Sequence, residues 1–212
     1  MNRLVEVLSK KKFPVLFRLD DIYKIKMKKK EINLNFQEAL KNEYIKKIYG
    51  DIYTLGFDYR KMLIHEGVIA QMIEPDSYIS MSYALRSVNW IPEAVNNIVS
   101  VTNGEKRTVR TEYGCSYKYV KIYEKYPFAG IYEEETKMGN FKMAKPLRAL
   151  CDYIHEFGFK WRSVGLLEDH LRIWTSTLEE DLKAEDFDEL QGKFEIENIE
   201  LFLSSIRKDL RL

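Results

Sequence analysis

Tyr44-Ile45-Lys46-Lys47-Ile48-Tyr49-Gly50-Asp51-Ile52-Tyr53-Thr54-Leu55 is the stretch that decides how the first third of the chain folds. β-Branched and aromatic residues dominate on both sides of Gly50-Asp51, and glycine is favoured at the first central position of a two-residue turn. The stretch therefore predicts a β-hairpin. What precedes it is helical. Ile32, Phe36, Ala39, Leu40 and Tyr44 recur at helical spacing and predict a helix from Glu31 to about Glu43, whose other face shows Asn33, Gln37 and Lys41 at i, i+4 and i+8. Leu4, Val5 and Leu8 predict a first helix over residues 2–9, followed by the basic run Lys10 to Lys12 and by Pro14. Leu19-Asp20-Asp21-Ile22-Tyr23 puts acids where a helix starts and predicts a second helix from about Asp20 to Ile25. Three helices and a hairpin within roughly 55 residues is the order of a winged helix-turn-helix, whose third helix enters the major groove of DNA and whose hairpin is the wing.

Charge supports that assignment. The net charge of the 212 residues is only +1, but residues 1–61 hold 15 Lys and Arg against 8 Asp and Glu, a balance of +7. Residues 62–160 hold 12 of each, and residues 161–212 hold 7 basic and 13 acidic residues, a balance of −6. A basic head suits a polyanion, because attraction to phosphates is the sequence-independent part of nucleic-acid affinity. The lysines fall on the parts that would meet DNA: Lys28, Lys29 and Lys30 at the start of the third helix, Lys46 and Lys47 on the hairpin. With Asn33, Gln37 and Lys41 they form the candidate DNA-binding set, the lysines anchoring phosphates and the helix face reading bases.

From Phe57 the composition turns neutral and apolar. A helix is expected around Met62, Leu63, Val68, Ile69, Met72 and Ile73, although Gly67 disfavours it. A second is expected through Tyr78, Ile79, Met81, Ala84, Leu85 and Val88, capped by Asp76 or Ser77, and a short one after Pro92, before Asn96-Asn97. Strands are expected at Ile98 to Thr102, Arg107 to Tyr113 and Cys115 to Tyr123, with a short one at residues 141–144 after a turn at Met138-Gly139-Asn140. Pro146 to Phe157 predicts a helix ended by Gly158, and the remainder reads as wholly helical. The fold expected is α+β: residues 1–61 a winged helix-turn-helix, residues 62–212 a mixed α/β domain with a small sheet and an acidic helical tail. No long linker separates the two, so close packing is expected.

Catalytic patterns are missing. His65-Glu66 and His155-Glu156 each begin a zinc-type pair, but Ile69 and Phe159 stand where the second histidine belongs, and His170 is the only other imidazole. There is no nucleophile elbow and no phosphate-cradling glycine loop. Asp186-Phe187-Asp188 has the spacing of a magnesium-binding pair but lies in a run, Glu179 to Glu189, that reads as the solvated face and first turn of a helix; Glu133-Glu134-Glu135 reads similarly. Tyr113, Tyr117, Tyr119 and Tyr123 read as one face of a sheet packed on helices. Neither a catalytic residue nor a metal or cofactor is therefore expected. The longest uncharged stretch, Ala94 to Gly104, is far short of the roughly 20 apolar residues of a membrane helix. Two separated cysteines, Cys115 and Cys151, and no apolar run behind the basic N-terminus suggest a cytoplasmic protein without disulfides.

Four segments in order resemble the AbiEi-type antitoxin family of abortive-infection, type IV toxin-antitoxin systems: Tyr49 to Leu55, Tyr78 to Leu85, Ile98 to Thr102 and Met143 to Ile154. The resemblance spans about residues 15–160. The chain departs from the family at the hairpin turn, where Tyr49-Gly50-Asp51 stands in place of the usual Arg-Gly followed by tyrosine. The resemblance implies a transcriptional autorepressor whose N-terminal domain binds inverted repeats in its own promoter as double-stranded DNA. It also implies a C-terminal domain needed to oppose a nucleotidyltransferase-like toxin encoded next door, without a stable complex. Two rivals come from the residues: a protein-interaction module using the winged helix and the acidic tail, and an enzyme acting on nucleic acid through Asp186 and Asp188.

Overall fold

A computed structural model describes residues 2–10, 13–60, 62–93, 97–112, 114–122 and 128–212. Lys11, Lys12, Lys61 at the expected domain boundary, the helix expected before Asn96, and Tyr113 and Tyr123 at expected strand ends lie outside or run beyond the described residues. The chain is an α+β protein with two sheets and, among the described residues, ten α-helices.

The N-terminal part runs α1 (Arg3–Lys10), β1 (Leu16–Arg18), α2 (Leu19–Tyr23), α3 (Lys29–Lys41), β2 (Ile45–Tyr49) and β3 (Ile52–Leu55). The strands form an antiparallel sheet in the order β1-β3-β2. Gly50, at φ 55°, takes the left-handed conformation at the two-residue turn between β2 and β3. The strand β1 was not expected. It is three residues long, too short to show a period of its own, and is set by its pairing with β3.

Both faces of this small sheet are buried. Phe17, Ile45 and Leu55 pack with Leu4, Leu8, Ile22, Ile32, Phe36 and Ala39, a core made wholly of N-terminal residues. Leu16, Ile48 and Ile52 face the other way and belong to the core of the rest of the chain. Ile45 and Ile48, like Ile52 and Leu55, are an odd number of residues apart and so point to opposite faces. A bulge interrupts the pairing, Lys47 pairing with Tyr53 and Tyr49 with Ile52 and leaving Ile48 without a partner across the strand. The backbone N–H of Glu112 donates to Ile48 O at 3.4 Å, and the Arg18 guanidinium donates to Met72 O while pairing with Asp51 at the hairpin turn.

The larger part is built on a six-stranded mixed sheet, ordered β6-β7-β5-β4-β9-β8. Its strands are β4 (Ser77–Ile79), β5 (Asn97–Thr102), β6 (Arg107–Arg110), β7 (Ser116–Lys121), β8 (Ile131–Thr136) and β9 (Gly139–Ala144). Its helices are α4 (Glu66–Ile73), α5 (Met81–Ser87), α6 (Pro146–Phe157), α7 (Val164–Leu171), α8 (Thr175–Asp181), α9 (Ala184–Leu190) and α10 (Glu197–Asp209). The α4 helix lies on one face, where the Tyr119 hydroxyl donates to Ala70 O at 2.9 Å; α6 lies on the other, reached by Tyr78 and Lys118. Gly67 sits inside α4 because a Cβ there would be 2.6 Å from the Phe141 ring.

Three expectations are corrected here. Tyr78 and Ile79 lie in a strand, not a helix, because β4 pairs with both β5 and β9 at the centre of the sheet, and α5 begins only after Ser80. Glu133-Glu134-Glu135 belongs to the edge strand β8, whose charges face solvent alternately and protect an unpaired edge. The turn before β9 is Lys137-Met138, since Thr136 already pairs with Gly139.

The centre of the sheet is tied to α6 by a buried polar network. Arg148 and Asp152 are both 0% exposed and form an ion pair at 3.0 Å. Asp152 also accepts from the Tyr78 hydroxyl at 3.1 Å and the Ser80 hydroxyl at 2.6 Å, while Arg148 donates to Tyr78 Oη at 2.6 Å and Ala129 O at 3.1 Å. Removing one partner of such a pair strands a buried charge. Asp152→Ala is expected to cost about 3–5 kcal/mol, whereas Arg148→Met with Asp152→Leu should recover most of the loss. Urea denaturation of the two variants checks this, and equal destabilisation of both would contradict it. Gly67→Ala is expected to cost about 1–3 kcal/mol through overpacking against Phe141, read from the same unfolding curves.

Candidate nucleic-acid interface

The α3 helix buries Ile32, Phe36 and Ala39 against the N-terminal core and turns its opposite side to solvent. On that side Lys29, Lys30, Asn33, Leu34, Gln37 and Lys41 are exposed, and Lys28 is the exposed cap residue before the first turn. The acids of this region are tied down elsewhere. Glu31 pairs with Arg3 at 2.6 Å, Glu38 accepts from the Asn2 amide at 3.0 Å, and Glu43 pairs with Lys46 at 2.9 Å. Among the described residues, the stripe from Lys30 through Asn33 and Gln37 to Lys41 carries no carboxylate on its own line.

Lys28, Lys29 and Lys30 stand at the positive end of the helix dipole, where a cation costs roughly 0.3–1 kcal/mol and an anion is stabilised. The same end presents backbone N–H groups with no intrahelical acceptor. An anion seated there would relieve both penalties at once.

Asn33 is held by a residue that sequence reasoning missed. The Tyr23 hydroxyl, at the end of α2, donates to Asn33 Oδ1 at 2.7 Å, and the Lys29 ammonium lies 5.0 Å from the centroid of the same ring. This bond holds the Asn33 amide by its oxygen. Nothing local in the sequence pairs Tyr23 with a residue ten positions on. Leu34 was also missed, and a helical projection would have shown it: a large apolar side chain, 66% exposed, between Lys30 and Gln37.

On the hairpin the two lysines differ. Lys47 is exposed, whereas Lys46 is half-buried and committed to Glu43. The turn itself offers Asp51, paired to Arg18, so the hairpin brings little free positive charge. The lysine set is thus divided, with Lys28, Lys29, Lys30 and Lys41 gathered on α3 and Lys47 apart on β2.

No family model matches the sequence, and no curated protein matches it with significance.

The residues weighed for catalysis are occupied in structural work. Asp186 accepts the Lys183 backbone N–H at 2.9 Å, capping α9, and Asp188 pairs with Arg207 at 2.7 Å. His65 Nδ1 accepts from Gly67 N–H at the start of α4, and His170 Nδ1 accepts from the Trp161 indole at 2.7 Å. Burial pushes the Cys115 thiol up, away from thiolate reactivity, with Glu66 adding to it. Burial likewise holds the Tyr117 and Tyr119 phenols well above the usual range. The space beside Tyr78 and Arg148 measures about 10 Å³, enough for one water at most, so that network cannot receive a substrate. Among the described residues no group of three or more His, Cys, Asp or Glu is placed to hold a metal, and no helix is long and apolar enough to cross a membrane.

Tyr23→Phe should keep the fold, cost about 1 kcal/mol and release the Asn33 side chain. Chemical denaturation checks the first, and the side-chain amide resonances of Asn33 the second; unchanged amide shifts would mean that Tyr23 does not orient Asn33.

Proposed function

We propose that this protein is a DNA-binding transcriptional autorepressor, and that it acts in the cytoplasm as the antitoxin of a type IV, two-gene toxin-antitoxin system. The order α1-β1-α2-α3-β2-β3, with the third strand between the other two, fits a winged helix in which α3 is the recognition helix and β2–β3 the wing. The observation that carries the proposal is the cluster Lys28, Lys29 and Lys30 at the N-terminus of α3, continuing into an acid-free stripe of Asn33, Gln37 and Lys41. Such an arrangement is unfavourable in the free protein and favourable beside phosphates. The lysines anchor the backbone, and the two amides donate to base edges in the major groove. With the other face of the hairpin buried and Asp51 at its tip, the wing contributes Lys47 as a flanking phosphate contact and does not read bases.

The antitoxin part rests on the four segments that resemble the AbiEi-type family. Two of them meet in the buried network through Tyr78, Ser80, Arg148 and Asp152, and a third, β5, pairs with β4 beside it. Their residues thus share one core. The proposed partner is a nucleotidyltransferase-like toxin encoded next door, opposed without a stable complex.

Part of the acidic tail on which the interaction-module rival relies is engaged within the fold. Asp181 accepts from the Trp90 indole at 2.7 Å, Glu189 from Lys145 at 2.6 Å and from Gly130 N–H, and Glu200 from Gly192 N–H at 3.0 Å. Asp181 and Glu189 fasten α8 and α9 to the body, while Asp169, Glu179, Glu180, Glu185, Glu195 and Glu197 remain exposed.

Binding to a duplex of the protein's own promoter, followed against salt, tests the proposal. Five exposed lysines, Lys28, Lys29, Lys30, Lys41 and Lys47, should give a slope of log affinity against log salt of roughly −4 to −5, and changing Lys28, Lys29 and Lys30 to Ala should flatten it by roughly 3. Asn33→Ala or Gln37→Ala should relax preference at one base position by about 1–3 kcal/mol with little change on random DNA. Salt-independent affinity, or no affinity for the promoter, would overturn the DNA assignment. Growth of cells expressing the neighbouring toxin, with and without this protein, tests the antitoxin assignment separately.

A further inference from the structure

Leu34 is the one large apolar side chain that α3 leaves exposed, and it belongs to neither core. Ile32, Phe36 and Ala39 face inward, whereas Leu34 stands on the outer side with Lys30 one turn before it and Gln37 one turn after. On its other flank Glu31 and Glu38 are engaged by Arg3 and Asn2. Its neighbour in sequence is Asn33, whose Oδ1 already accepts the Tyr23 hydroxyl at 2.7 Å. Among the described residues no acceptor engages the Asn33 N–H groups, so this amide meets a partner chiefly as a donor.

A single leucine among lysines and amides is too small a patch for an apolar protein surface or a membrane, which takes a row of apolar residues along one face. Apolar groups in the major groove are also single. The edge of thymine carries one, its C5-methyl group, beside the O4 acceptor. We propose that the exposed face of α3 recognises thymine, Leu34 packing on the C5-methyl group and Asn33 donating to O4. The inference rests on the DNA-binding reading and narrows it. Guanine offers acceptors without a methyl group, cytosine a donor alone, and adenine an acceptor beside a donor that would compete with Tyr23 for Asn33 Oδ1. Only thymine suits both residues.

Uracil interference on a duplex of the protein's own promoter tests the inference, because uracil lacks the methyl group and keeps O4 and its pairing. The full chain should bind with salt-dependent affinity and should discriminate against uracil at one thymine or more, by roughly fourfold for one methyl group taken out of water. Leu34→Ala should erase that discrimination and still bind the uracil-containing duplex. At the same position 5-methylcytosine, paired with guanine, keeps the methyl group and replaces O4 by an amine. It should weaken the unaltered protein roughly five- to tenfold and Asn33→Ala much less. Both side chains are exposed, so neither substitution disturbs a core. Salt-dependent promoter binding in which no thymine is sensitive to uracil, or in which Leu34→Ala stays as sensitive as the unaltered protein, would overturn the thymine assignment and leave the DNA-binding reading standing. Absence of promoter binding would overturn both.

Discussion

The buried pairing of Arg148 with Asp152, sealed by Tyr78 and Ser80, is the constraint on which the body depends. Two full charges lie at zero exposure, and such a pair is tolerated only when the remaining donors and acceptors are also satisfied. The donors come from three places: α6 supplies the ion pair, β4 the tyrosine, and the residue capping α5 the serine hydroxyl. A central strand of only three residues contributes few ladder bonds. Its side chains therefore carry much of what holds it against α6, and the polar network sets the register that apolar packing alone would leave free to slide.

From that anchored sheet the position of the N-terminal part follows. Its small sheet cannot be solvated on the side bearing Leu16, Ile48 and Ile52, and these side chains complete the core around α4. Ile45 and Ile48 are three residues apart, so the alternation of the strand turns one to the helices and the other to the body. With the sheet held on both faces, α3 is packed along one side only. Its polar stripe is left outward as a consequence of packing.

Much of this architecture was legible where the signal is local. The hairpin about Gly50-Asp51, the period of α3 and the span of α6 between Pro146 and Gly158 each depend on residues within a few positions of one another. The failures have a common physical form. Ser77-Tyr78-Ile79 is too short to distinguish a strand from a helix by period, and only pairing with β5 and β9 decides it. Glu133 to Glu135 look like a solvated helical face because an edge strand also shows its charges to water. At the candidate interface the lysines and amides were legible from the helical period, whereas the bond from Tyr23 that orients Asn33 is a tertiary contact with no signature in spacing.

The charge asymmetry along the chain has a different meaning at its two ends. Part of the tail's acidic charge is met internally, Asp181 accepting from Trp90, Glu189 from Lys145, Asp188 from Arg207 and Glu200 from the Gly192 N–H, while Asp169, Glu179, Glu180, Glu185, Glu195 and Glu197 stay exposed. The lysines that open α3 have no comparable set of acids opposite them, and they oppose the helix dipole as well as one another. Repulsion of this kind lowers the stability of the isolated protein and is relieved only by an external anion. The +7 of the basic end and the −6 of the acidic end are thus disposed differently, the one gathered at a helix terminus and the other spread along α7 to α10.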